Sequence, residues 1–236
     1  MKYDIICISD VHLRSSGCQA EELHTFLKEN KCHQLILVGD IFDLWTSNNW
    51  NKHCNSVVRS VLKAANDGTQ VIYVTGNHDD ALRSVTPLSL GNIQIVDEYI
   101  LEYYGNKYMV IHGDKFDLVN RTVSIVGGVL YDWVLVINDW VFKCRKKLGI
   151  QSHWSLSKYV KTNTKKVLAF ISNFKTILAT YAYENECQGV ICGHIHTPEI
   201  TEIHLGNFIK VDYYNCGDWV ENCTALVAKD GKWEIK

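Results

Sequence analysis

The chain has 236 residues, a formal net charge of −2 and a hydrophobic fraction of 47%. This length and apolar content suit one large domain with a sizeable core, and the charge balance makes the whole chain no evident nucleic-acid binder. The charge is uneven: residues 115–188 hold eleven Lys and Arg against five Asp and Glu, which leaves the remainder acidic. A basic stretch of that kind suits an anionic substrate or an anionic membrane surface.

The N-terminus runs directly into an apolar, β-rich stretch, Asp4–Ser9, which reads as a buried strand with no signal peptide before it. A helix is predicted over Glu21–Glu29, a second buried strand over Gln34–Val38, a helix over roughly Ser56–Asp67 ending at Gly68, and a third strand over Gln70–Val74. This alternation predicts parallel strands joined by crossover helices. Short strands follow at Ile93–Val96, Ile100–Tyr104 and Lys107–Ile111, the last two joined around Gly105-Asn106. Residues 119–183 read as mostly helical, and Gly189–Cys192 returns to a buried strand. Two hairpins close the chain: Thr201–Leu205 with Phe208–Val211, and Ala225–Ala228 with Trp233–Ile235.

The expected fold is α/β: a two-sheet sandwich layered α-β-β-α, one domain over 1–236 with a helical insertion over 115–188. The longest apolar stretch, Val123 to Val141, is interrupted by Gly127, Gly128, Asp132, Asn138 and Asp139, so no bilayer-spanning helix is expected. Nine cysteines, an odd number without a Cys-x-x-Cys pair, read as reduced thiols of a cytoplasmic protein.

Five polar motifs each follow an apolar run: Asp10-Val11-His12, Gly39-Asp40-Ile41-Phe42-Asp43, Gly76-Asn77-His78-Asp79, His112-Gly113-Asp114 and Gly193-His194-Ile195-His196. At the carboxyl ends of parallel strands they converge on one sheet edge, where α/β proteins bind ligands. Aspartate, asparagine and histidine are the oxygen and nitrogen ligands that Mn, Fe or Zn accept. Five such motifs in series describe a two-metal hydrolytic site. His24, His33, His53, His153 and His204 stand outside any motif and read as ordinary surface or core residues.

In motif order and residue identity, from Asp10 to about Trp219, the chain resembles the calcineurin-like metallophosphoesterase superfamily. The resemblance implies that Asp10, His12, Asp40 and His196 hold one divalent ion and that Asp40, Asn77, His112 and His194 hold the other, with Asp40 between them. The ions are expected to be manganese, with iron or zinc as alternatives. It further implies a bridging hydroxide that attacks phosphorus in line, and His78 beside the leaving oxygen as acid or electrostatic stabiliser. Asp43 and Asp79 are expected to orient a histidine, Asp79 by pairing with His78, and Asp79 is counted with His78 as catalytic. Asp43 has the alternative of a plain helix N-terminal carboxylate. Asp114 either supports His112 or caps the next turn.

Within the superfamily the chain is most similar to the UDP-2,3-diacylglucosamine diphosphatase group. Compactness, a helical insertion between His-Gly-Asp and Gly-His-x-His, and the tail Gly217-Asp218-Trp219 carry this likeness. It implies a pyrophosphate bond in a lipid-linked nucleotide sugar as substrate, and a cytoplasmic protein that meets the inner face of the cytoplasmic membrane peripherally. The insertion offers an apolar helical face with Trp133 and Trp140 and a basic end with Lys143, Arg145 and Lys146 as candidate substrate residues, or else a helix pair that only packs. That group usually carries Arg where this chain has His78. Rival readings are a broader phosphodiesterase or phosphomonoesterase, and a metal-bound scaffold without activity; no nucleic-acid partner is expected.

Overall fold

The computed structural model describes residues 2–46, 50–116 and 171–236. The chain divides into two compact units, 1–114 with 175–236, and 115–174. Trp133, Trp140, Lys143, Arg145, Lys146 and the helices predicted across 119–170 lie outside the described residues.

The first unit contains two sheets. One comprises β1 (Lys2–Ile8), β2 (Lys31–Val38), β3 (Gln70–Val74), β4 (Leu88–Leu90), β5 (Ile93–Val96), β11 (Leu226–Lys229) and β12 (Lys232–Ile235), in the order β12-β11-β1-β2-β3-β5-β4. Strands β1, β2, β3 and β5 run parallel, with α1 (Ala20–Glu29) and α2 (Lys52–Asn66) as crossovers. The other comprises β6 (Tyr99–Tyr103), β7 (Asn106–Val110), β8 (Gly189–Cys192), β9 (Glu199–Leu205) and β10 (Ile209–Asn215), in the order β6-β7-β8-β10-β9. Its central strands β7, β8 and β10 are also parallel.

The continuous apolar runs are explained by burial on both faces. Along β1, Ile6 and Ile8 pack toward α1 and α2, while Ile5 and Cys7 pack toward the second sheet; β2 splits Leu35 and Leu37 from Ile36 and Val38 in the same way. The inter-sheet core adds Leu101, Tyr108, Val110, Ile191 and Tyr214. A third helix, α3 (171–184), borders the second sheet, where the Lys175 ammonium pairs with Glu199 and lies 5.6 Å from the Tyr213 ring centroid. The layering is α-β-β-α. Among the described residues no helix is long and apolar enough to cross a membrane.

Several bounds differ from the sequence expectation for local reasons. Helix α2 begins at Lys52 because the Asn51 side chain accepts from the amides of His53 and Cys54, a capping interaction that opens the helix a turn early. Strand β10 runs on to Asn215, through polar positions that alternation alone discounts. The short edge strand β4 and the 3-10 turn Asp80–Val85 were not foreseen, since three residues carry no readable period.

Candidate metal centre

Both sheets contain adjacent parallel strands, and the motifs lie just beyond the carboxyl ends of β1, β2 and β3 in the first and of β7 and β8 in the second. Asp10 and His12 follow β1, Asp40 follows β2, Asn77 and His78 follow β3, His112 follows β7, and His194 and His196 follow β8. The first two loops are zipped together: the amides of Asp10, His12 and Leu13 donate to the carbonyls of Gly39, Asp40 and Ile41 at 3.1, 2.9 and 2.9 Å. The second sheet is tied to the first at this edge. His112 Nδ1 lies 3.0 Å from the Val38 carbonyl, and the His194 amide donates to Asp10 Oδ2 at 2.9 Å.

The outcome is a compact cluster of ligand atoms. Asp10, His12 and His196 form one group able to hold a cation, Asp10, Asp40 and His112 a second, and His12, Asp40 and His78 a third. His196 Nε2 is 3.1 Å from Asp10 Oδ1, and His112 Nε2 is 3.2 Å from Asp40 Oδ2. The His194 ring meets the His112 ring edge-on at 5.2 Å. Asp10, His12, Asp40 and His112 are buried.

Backbone strain concentrates here. Asp10, His12, Asp40, His194 and His196 all have left-handed backbone angles, φ 49–69°. Non-glycine residues avoid that region, at a cost of about 1–2 kcal/mol each, so its recurrence at five ligand positions marks a site whose geometry is held by the surrounding fold. Gly39, at φ 77°, is required sterically as well, because a Cβ there would collide with the His112 ring.

The donor set fits metal ions. Asp10 Oδ1, Asn77 Oδ1, His12 Nε2 and His112 Nε2 are buried and make no hydrogen bond among the described residues. Buried polar atoms without partners are rare, and four on one cluster point to a bound cation as the missing partner.

A family model for calcineurin-like phosphoesterases matches residues 3–198. The chain belongs to that family. A UDP-2,3-diacylglucosamine hydrolase of Vibrio atlanticus is 24% identical over 97% of this chain and 95% of its own length. The protein of that name from Photorhabdus laumondii is 32% identical over 76% of each chain. Among solved structures, a phosphoesterase from E. coli aligns over 96% of this chain and 88% of its own, at 12% identity and a TM-score of 0.47. By its family model and its hydrolase relatives, this calcineurin-like phosphoesterase is an enzyme that hydrolyses phosphoester bonds, with a site composed for divalent metal ions.

Electrostatics at the phosphoesterase site favour cations. Burial opposes ionisation of Asp10, but attraction to the nearby imidazoles, His112 first and then His12 and His196, outweighs it and holds the carboxyl well below its usual range. Asp40 is likewise lowered against burial, chiefly by His112. In turn burial works against a charged His112, yet Asp40 and Asp10 push it up to about 10. The carboxylates thus favour the protonated forms of His112 and His196, and a bound cation would compete with those protons.

One expected pairing is corrected, and Asp114 has a partner outside the motifs. Asp79 does not pair with His78. It lies fully buried beneath the loops and accepts from the amides of Gly76 (2.6 Å) and Ile41 (2.9 Å) and from the Tyr73 hydroxyl (2.5 Å). Through these bonds Asp79 ties the loop that carries Asp40 to the loop that carries Asn77. The partner of His78 is Asp43, whose Oδ1 lies 3.1 Å from Nδ1 and also accepts from the amides of Trp45 and Thr46. Asp114 makes no hydrogen bond to His112, although its charge helps to raise the His112 pKa: both its oxygens accept from Arg83 Nη2, at 3.0 and 2.8 Å, and the Val38 carbonyl takes the His112 Nδ1 contact.

Other supporting residues escaped the sequence reading. The Ser9 hydroxyl contacts both Asp10 Oδ2 and the Val38 carbonyl at 2.6 Å. Buried Asn215 donates to the Gly193 carbonyl at 2.8 Å and accepts from the Gly217 amide at 2.9 Å. Asp218 gathers the amides of Val220 and Glu221, and Asn222 Nδ2 bonds both Asp218 and the His196 carbonyl. The Gly217-Asp218-Trp219 tail was the available signal, but nothing in it said that it braces His196. Trp45, 62% exposed, packs on His78 with ring centroids 4.0 Å apart.

Proposed function

We propose that the enzyme binds two divalent ions, manganese first among them, and hydrolyses the pyrophosphate bond of a lipid-linked nucleotide of the UDP-2,3-diacylglucosamine type. The observation that carries the two-ion reading is the set of buried atoms on Asp10, His12, Asn77 and His112 that make no hydrogen bond among the described residues. Asp10, His12, Asp40 and His196 would hold one ion and Asp40, Asn77, His112 and His194 the other. Such ions supply Lewis-acid activation of water and neutralise charge on the phosphoryl group.

The chain's own residues do the rest. Asp40 belongs to both sets, and its Oδ1 is aimed by the His78 amide at 2.8 Å. With His78 Nδ1 committed to Asp43, Nε2 is the nitrogen left to hand a proton to the leaving oxygen. His78 is held further by the edge of the His12 ring at 4.6 Å and the face of Trp45.

The substrate reading rests on the named relatives, which align over 97% and 76% of the chain, and on exposed apolar groups beside His78. Leu44 bonds the His78 carbonyl through its amide, and Leu44, Trp45 and Trp50 expose large apolar surfaces at this rim. Trp133, Trp140, Lys143, Arg145 and Lys146 are proposed, on their chemistry alone, to take up acyl chains and anionic groups, with peripheral membrane contact as a consequence. One observation favours a second reading, a broader phosphodiesterase: His78 stands where the diphosphatase group usually has Arg.

The test is product analysis with Mn(II), offering UDP-2,3-diacylglucosamine beside p-nitrophenyl phosphate, bis-p-nitrophenyl phosphate and soluble nucleotide diphosphate sugars. Release of UMP and the lipid monophosphate, far faster than turnover of the small esters, is expected. Cleavage of small esters alone would transfer the enzyme to the second reading.

A further inference from the structure

Arg83 belongs to none of the five motifs, yet its side chain joins three segments at the metal-binding edge. It sits in the turn Asp80–Val85, which is rooted on the site: the Leu82 amide donates to the Asp79 carbonyl at 3.0 Å. Nε donates to Asp97 Oδ1 at 3.0 Å and approaches Thr75 Oγ1 at 3.4 Å. Nη2 donates to both oxygens of Asp114. Thr75 itself is buried, donates to Asp97 Oδ1 at 2.5 Å through its hydroxyl, and bonds the Val96 carbonyl through its amide.

The placement matters more than the bond count. Thr75 is two residues before Asn77, on the loop leaving β3 in the first sheet. Asp114 is two residues after His112, on the loop leaving β7 in the second sheet. Asn77 and His112 therefore arrive on loops from different sheets, with no shared strand ladder to set their spacing. The Arg83 guanidinium reaches both loops at once. A planar, permanently charged group with several donors holds two acceptors at a set separation better than a flexible ammonium does.

We propose that Arg83 is a positioning residue that sets the spacing of Asn77 and His112 and so governs the affinity of the ion these two residues share. The inference rests on the two-ion reading above. Support of this indirect kind is worth about 10–100-fold in metal affinity. It also discriminates between the two ions, because the Asp10, His12 and His196 group draws on loops that Arg83 does not touch.

The experiment is a Mn(II) titration of the full chain, following bound metal per chain by equilibrium dialysis, for wild type, Arg83→Met, Arg83→Lys, Asp114→Asn and the Arg83→Met/Asp114→Asn double variant. Wild type is expected to take two ions. Arg83→Met is expected to keep one at wild-type affinity and bind the second at least tenfold more weakly. Arg83→Lys should recover part of the loss, and the double variant should be no worse than the weaker single variant, as for two halves of one link. Two ions bound at wild-type affinity by Arg83→Met, or equal weakening of both, overturns the proposal. Should Arg83→Met fail to fold, Asp114→Asn and Arg83→Lys decide by the same criterion. Fewer than two ions on wild type would instead refute the two-ion reading.

Discussion

Replacing Gly39 with Ala tests how closely the two sheets meet at the ligands. Two penalties combine. An alanine at φ 77° costs about 1–2 kcal/mol in backbone energy. Its Cβ would overlap the buried His112 ring, and overpacking of that kind costs about 1–3 kcal/mol, with about 1 kcal/mol more if His112 loses the Val38 carbonyl. The total, about 3–6 kcal/mol, is comparable with the whole stability of many domains, about 5–15 kcal/mol. Gly68 provides the control. It too has a left-handed backbone, φ 96°, but nothing lies within 4 Å of where its Cβ would be, so Gly68→Ala bears the backbone term alone. The effect of Gly→Ala on the unfolded chain is common to both and cancels in the difference. Urea unfolding of the metal-free proteins should place Gly39→Ala about 2–4 kcal/mol below Gly68→Ala, and only Gly39→Ala should lose bound metal. A gap under about 0.5 kcal/mol, within the scatter of ordinary surface substitutions, with metal retained, would refute the packing argument for His112.

Further outcomes follow from the same geometry. Asp43→Asn removes the carboxylate that orients His78 and should lower kcat about 10–100-fold while metal content is unchanged; a loss of metal would show that Asp43 acts elsewhere. Chelation with EDTA should lower the Tm, and added Mn(II) should restore it; at a free concentration of 100 times Kd the ion contributes about 2.7 kcal/mol, so an unchanged Tm would contradict the cation reading of the orphaned atoms. Asp218 is held below its ordinary value of 3.8: burial opposes ionisation, but the Glu221 amide, Asn222 and the Val220 amide outweigh it. A depressed folded pKa gives stability that is fully present above the ordinary value and is lost as pH falls through the folded one. The stability gap between wild type and Asp218→Asn should therefore be widest above about pH 4 and close on acidification; a gap that widened in acid would reverse the sign of the argument.

Much of this enzyme is legible in the order of its amino acids. Runs such as Gln34–Val38 are apolar at every position because the strand is buried on both faces, and a polar motif directly after such a run can only lie at the sheet edge. Such reasoning puts all seven ligand candidates at that edge, since it needs only local periodicity and the identity of the next residue. The α-β-β-α layering is legible too, because it follows from the order of strand and helix signals.

Tertiary structure alone decided who partners whom. Asp43 and Asp79 are equally plausible companions of His78 in the sequence, and Asp79 is the nearer neighbour. In the fold a single turn sends Asp79 inward to Tyr73, Gly76 and Ile41, and leaves His78 facing Asp43 from a loop 35 residues away. Asn215, Asp218 and Arg83 carry no motif signal because their partners are backbone groups or residues on other strands. Covalent neighbours and periodicity set which residues reach the edge of a sheet. Which carboxylate meets which imidazole depends on side-chain direction across two sheets brought together by their cores, and no local pattern encodes that.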